Sequence, residues 1–285
     1  MKLLFVFALV ASLPLSASTK GVKVIYGEDN RVDVVDSTNA MYVELSKSTA
    51  GMVSKSDIVP EGNGMVKLRG GSLSSRGICS SERFATQPSV ANCSGFLVGE
   101  DLLVTAGHCV RSASDCRRWK WVFDYKVESE DQTSVSVEES SVYGCKEVVN
   151  SVLSRSSQDD FALIKLDRKV TDRRILDYRR KGQISVGEKL VVIGHPSGLP
   201  TKIADGSTVR SLKTKYFQAD LDTYGGNSGS AVFNAATGVV EGILVRGETD
   251  YVRDSRQGCM VSNVVSQNAG RGEDVTYITN IPELQ

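Results

Sequence analysis

Three short strings could do chemistry together: Thr105-Ala106-Gly107-His108-Cys109, Asp159-Asp160-Phe161-Ala162-Leu163 and Gly225-Gly226-Asn227-Ser228-Gly229-Ser230. A serine hydroxyl is a poor nucleophile at neutral pH and needs a base to take its proton as it attacks. Histidine suits that task because it titrates near working pH. A carboxylate must then hold the imidazole tautomer and stabilise the imidazolium. The chain has 2 histidines. His108 ends an apolar run and follows small residues that let an imidazole face a cleft. His195 lies in the turn sequence Gly194-His195-Pro196-Ser197-Gly198 and reads as a structural or exposed loop residue. Among the hydroxyls, Ser228 has Ser230 as its rival, and among the carboxylates Asp160 has Asp159.

These motifs, in the order His, Asp, Ser, resemble the trypsin/chymotrypsin-like serine proteases over roughly residues 78 to 250. The Gly-Asn-Ser-Gly-Ser string is similar to the bacterial glutamyl-endopeptidase-like branch. The family pattern selects Ser228 as nucleophile and Asp160, directly before Phe161-Ala162-Leu163, as the carboxylate beside His108, leaving Asp159 a solvated neighbour. It implies an oxyanion hole from the N–H groups of Gly226 and Ser228; losing one such donor costs roughly 100- to 1000-fold in rate. It places Asp222, six residues before Ser228, at the base of the primary specificity pocket with Thr223 beside it. Gly242–Gly247 becomes a pocket wall carrying Leu244 and Arg246. An Asp there implies cleavage after Arg or Lys. The branch resemblance implies acidic substrates, but the wall histidine that branch uses is Leu244 here. Arg246 is expected to enter the pocket, to neutralise Asp222 or to receive a substrate carboxylate. Asn227 stands where trypsin-like zymogens carry the Asp that pairs with a freed N-terminal ammonium, and an amide has no charge for that pairing.

The activity implied is that of a secreted serine endopeptidase acting through an acyl-enzyme intermediate on protein or peptide substrates, with no cofactor and no metal. The alternatives are an inactive protease-like binding protein, an esterase on the same fold and a glutamyl-specific endopeptidase. With 34 basic against 34 acidic residues in 285, nothing favours nucleic acid or an anionic membrane as partner. Lys2 followed by an apolar run to Pro14 and the small residues to Ser18 reads as an export signal over 1–18. The mature chain is expected to be secreted or periplasmic, off the membrane and monomeric. Six cysteines in an exported chain imply disulfides. The family resemblance pairs Cys93 with Cys109 around the histidine. Cys116 and Cys145, flanking one strand-rich stretch, are the expected second pair, and Cys79 with Cys259 remain.

The elements that must position these groups read as strands. Short apolar runs at 95–99, 102–105, 121–125, 190–194, 230–234 and 239–245 are separated by Gly, Ser, Asn and Asp, with almost no helical periodicity. That pattern indicates an all-β barrel or sandwich. The resemblance narrows it to two antiparallel six-stranded β-barrels of the trypsin-like type, with the active site in the cleft between them. Residues 19–77 carry no catalytic motif and read as a pro-segment or N-terminal extension, with a strand over 22–27. Val24-Ile25 to Asp29-Asn30-Arg31 resembles the start of mature glutamyl endopeptidases, so this extension can stay on the enzyme. Residues 78–285 are expected to form the protease domain, with barrel one over about 78–172 and barrel two over about 182–285. The basic run 173–181 is expected to cross between them as a solvated linker.

Overall fold

A computed structural model describes residues 25–285, so the export signal read over 1–18 lies outside the described residues. Barrel one consists of β1 (Thr49–Ser54), β2 (Cys93–Leu97), β3 (Leu102–Thr105), β4 (Trp119–Val122), β5 (Val142–Leu153) and β6 (Asp160–Leu166). They close in the order β5-β6-β3-β2-β1-β4. Barrel two consists of β7 (Lys189–Gly194), β8 (Lys202–Leu212), β9 (Tyr216–Ala219), β10 (Ala231–Asn234), β11 (Val240–Arg246) and β12 (Glu273–Tyr277). They run β7-β10-β11-β12-β9-β8, and β8 returns to β7. The fold is the double antiparallel barrel expected.

The strands β2, β6, β7 and β11 are largely apolar runs because both of their faces are buried, and side chains alternate between the two faces. In β7, Leu190 and Val192 enter the core of barrel two, while Val191 and Ile193 join Phe96, Leu103, Trp121 and Phe161 in the cluster shared with barrel one. In β11, Leu244 faces the barrel-two core, and Ile243 and Val245 face the shared cluster. The turn at Thr237-Gly238 joins β10 to β11 as an antiparallel hairpin.

Two expectations need correction. Barrel one begins well before residue 78, because Thr49–Ser54 is the strand that closes it between β2 and β4. Arg31–Asp33 likewise adds a strand to β8, sealed by a buried Asp33–Lys202 ion pair at 2.5 Å. Of the strand read over 22–27, Ile25–Tyr26 pairs with Val264–Val265 and the rest lies outside the described residues. The sequence 25–54 carries none of the long apolar runs that mark the other strands, and its partners lie far along the chain. The segment 173–181 is only partly solvated, with Arg174, Ile175, Asp177, Arg180 and Lys181 exposed. The Arg173 side chain is buried against Asp124, Arg179 pairs with Glu241, and Leu176 is buried. The crossover is thus anchored to both barrels. Among the described residues, no helix is long and apolar enough to cross a membrane.

Candidate active site

Strand register explains why the first two strings meet. β3 and β6 are antiparallel neighbours, with Thr105 opposite Ala162. Asp160, at the head of β6, and His108, just past the end of β3, therefore emerge at the same edge. The His108 backbone N–H donates to Asp160 Oδ1 at 3.1 Å, and His108 Nδ1 lies 2.9 Å from Asp160 Oδ2. Asp160 is 1% exposed, whereas the His108 side chain is about one-third exposed. A carboxylate held by both the backbone and the ring of one residue fixes that ring's tautomer and direction. Gly107 is what lets the chain turn there: a Cβ would lie 2.0 Å from the Val152 carbonyl.

The serine string enters from barrel two, between β9 and β10. The Ser94 N–H of β2 donates to the Ser228 carbonyl at 2.8 Å, and Cys109 Sγ lies 3.8 Å from that same oxygen. The residue following His108 thus touches the main chain of Ser228. The amides of Asn227, Gly229 and Ser230 are engaged with Tyr224, Leu244 and Asn227 carbonyls. Those of Gly226 and Ser228 make no hydrogen bond among the described residues. Gly226 adopts φ +96°, and a Cβ on it would lie 2.5 Å from the His195 carbonyl, so only glycine fits. Two unengaged N–H groups flanking one residue match the arrangement that stabilises an oxyanion.

The rivals have other occupations. Ser230 is fully buried and its hydroxyl donates to Asn227 Oδ1 at 3.1 Å. His195 is fully buried rather than exposed, stacked on Tyr125 with ring centroids 5.3 Å apart, its Nδ1 3.0 Å from the Leu199 carbonyl. Burial pushes its pKa down to about 4 despite that hydrogen bond. Asp159 is not a solvated neighbour. It is buried, 3.3 Å from Lys215 Nζ, and accepts from Asn280 Nδ2 at 2.8 Å.

The residues expected to line the specificity pocket are dispersed. Asp222 is 2% exposed, and its two oxygens accept the Tyr26 and Asn30 N–H groups at 2.8 and 3.1 Å. Burial raises its pKa to about 6, although both amide bonds act in the other direction. It therefore anchors the N-terminal segment instead of standing open to a substrate cation. Thr223 donates to Glu273 Oε2 at 2.8 Å. Leu244 is a core residue of barrel two. Arg246 neither meets Asp222 nor lies free: Nη1 is 3.6 Å from Asp160 Oδ2, Nε is 3.3 Å from Asp274 Oδ2, and Nη2 donates to the Gln158 carbonyl at 2.8 Å.

All three expected disulfides are formed: Cys79–Cys259, Cys93–Cys109 and Cys116–Cys145. Sequence reasoning missed Ser94. Its hydroxyl accepts the His195 N–H at 3.0 Å and donates to the Gly226 carbonyl at 2.9 Å, which ties the His195 main chain to the serine string. Nothing in the string Cys93-Ser94-Gly95 signals this, because both partners lie more than 100 residues away.

A family model described as "Trypsin-like peptidase domain" matches residues 93–243, which span all three strings. A curated relative, "Uncharacterized protein y4fB" of Sinorhizobium fredii (strain NBRC 101917 / NGR234), is 25% identical over 210 residues. The match covers 61% of this chain but only 28% of that protein. A solved structure titled "Structure of Glu endopeptidase in complex with MPD" matches with a TM-score of 0.51 at 16% identity, over 92% of this chain and 97% of the other. The Vibrio cholerae VesB protease matches with a TM-score of 0.52 at 13% identity, over 92% of this chain and 66% of the other. At those identities the two structures speak for the fold.

Proposed function

The chain belongs to the trypsin-like peptidase domain family, and on that premise we propose that it is an exported serine endopeptidase with Ser228, His108 and Asp160 as its triad. The observation that carries this reading is the buried Asp160 bonded to both the backbone and the ring of His108, together with the unengaged N–H groups of Gly226 and Ser228. With Nδ1–H donating to Asp160, His108 Nε2 keeps its lone pair. It takes the Ser228 hydroxyl proton as Oγ attacks the scissile carbonyl. The oxyanion is held by the Gly226 and Ser228 N–H groups. His108 returns the proton to the leaving amine, leaving an acyl-serine. Water then enters and gives a proton to Nε2 as its oxygen bonds the acyl carbon; the acyl–Oγ bond breaks, the acid product leaves, and Nε2 returns the proton to Ser228 Oγ. Three disulfides support an oxidising destination.

The test is labelling of the purified protein with a fluorophosphonate probe beside a casein digest. Labelling at Ser228 with casein cleavage is expected. Labelling with ester but no peptide hydrolysis would make the chain an esterase. Absence of labelling in an intact, folded protein would make it a binding protein.

A further inference from the structure

A cavity of about 480 Å³ lies against His108 on its Asp160 side. Every carboxylate around it is buried and paired. Asp160 holds His108 and faces Arg246, Asp274 is shared by Arg246 and Arg271, and Asp159 faces Lys215. The Arg246 guanidinium is equally committed, to Asp160, Asp274 and the Gln158 carbonyl. The remaining charge on the lining is Arg155. It is exposed, forms no ion pair among the described residues, and engages only its carbonyl, with the Gln158 amide. The charges facing the cavity therefore sum to an excess of one cation, located at its rim. Beside it Leu153 is 51% exposed, an apolar wall with no covering side chain.

Resting on the peptidase reading above, we propose that this cavity is a substrate subsite for a side chain that carries a carboxylate on an aliphatic stem, with Arg155 as the residue that recognises it. The methylenes would lie on Leu153 and the carboxylate would meet the guanidinium fork, whose geometry accepts it through two parallel hydrogen bonds. A substrate cation would face Arg155 and Arg246 with no free carboxylate in reach. This selectivity concerns the position that occupies the cavity and is separate from the residue whose carbonyl is attacked.

The full exported protein, digesting a peptide library randomised on both sides of the scissile bond, tests it. At one position Glu and Asp should be preferred over Lys and Arg by about fivefold in kcat/KM, the scale of a solvent-exposed ion pair. That preference should weaken with added salt. Arg155→Ala should erase it, Arg155→Glu reverse it and Arg155→Lys retain part, all three still labelled by the fluorophosphonate. A chain that labels and cleaves with no charge preference, or with one that Arg155→Ala leaves unchanged, overturns the subsite. So does a purely apolar preference that follows Leu153 alone. Absence of labelling in the wild type sinks the peptidase reading itself, and the subsite with it.

Discussion

The two histidines of this chain occupy opposite environments. His108 is partly exposed at the barrel edge, with a buried carboxylate on Nδ1 and Nε2 available. His195 is sealed between Tyr125 and the 195–199 turn, with a carbonyl on Nδ1 and, among the described residues, no hydrogen-bond partner for its buried Nε2. One ring is oriented by a charge and left open to react; the other is held by packing and kept neutral. Imidazole chemistry is common to both, so what separates a base from a structural residue is which acceptor faces Nδ1 and whether water reaches Nε2. Two of the buried aspartates repeat the contrast: Asp160 accepts from a ring that can gain a proton, and Asp222 from two amides that cannot.

The comparison is broken most sharply by truncating each side. His108→Ala and Ser228→Ala should each lower kcat for proteolysis by roughly a millionfold, with the double variant barely worse, because the groups act as one unit. Thermal unfolding of both should match the wild type. His195→Ala should do the reverse. It should destabilise the fold by about 3 kcal/mol, as for a large core side chain replaced by alanine. Fluorophosphonate labelling should persist below its melting temperature. Equal losses of activity without loss of stability at both histidines would remove the distinction.

Acid titration sharpens it. The folded pKa of His195 lies below its ordinary value of 6.5, at about 4. The unfolded chain therefore binds the extra proton first. Stability from this residue is complete above pH 6.5 and is lost as pH falls towards 4, by about 3 kcal/mol. Asp222 has the opposite sign. Its folded pKa is raised from 3.8 to about 6, so its contribution is complete below pH 3.8 and is lost as pH rises through 6. Between pH 4 and 6 the two oppose each other. Asp222→Asn should therefore steepen the acid-side fall in melting temperature, and an unchanged slope would contradict the opposition.

The smallest expected effect concerns Ser94. Removing the hydroxyl that ties the His195 backbone to the Gly226 carbonyl should lower kcat about tenfold, below the loss of a whole oxyanion donor. KM should stay near wild type. Burst kinetics with a chromogenic ester would check that the change lies in acylation.

The three candidate strings and the strand class were legible because both are written locally. Small residues around His108 and Ser228 are a local signature, although the backbone they make room for, such as the Val152 carbonyl 2.0 Å from a Cβ at Gly107, comes from elsewhere in the chain. Strands buried on both faces must be apolar throughout, so β7 and β11 announced themselves. The N-terminal residues did not. Thr49–Ser54 and Arg31–Asp33 are polar or mixed, and they are strands because β2, β4 and β8 offer them ladders from distant sequence. The same non-locality decided the fate of Asp222. Six residues before the serine it looked like the floor of a charged pocket, yet the Tyr26 and Asn30 amides reach it from 196 and 192 residues away. Sequence alone determined which side chains could do chemistry, since reactivity is a property of residue type and near neighbours. Only tertiary structure decided which stay exposed and which are paired or buried, because desolvation and hydrogen bonding depend on groups that the chain brings together after folding.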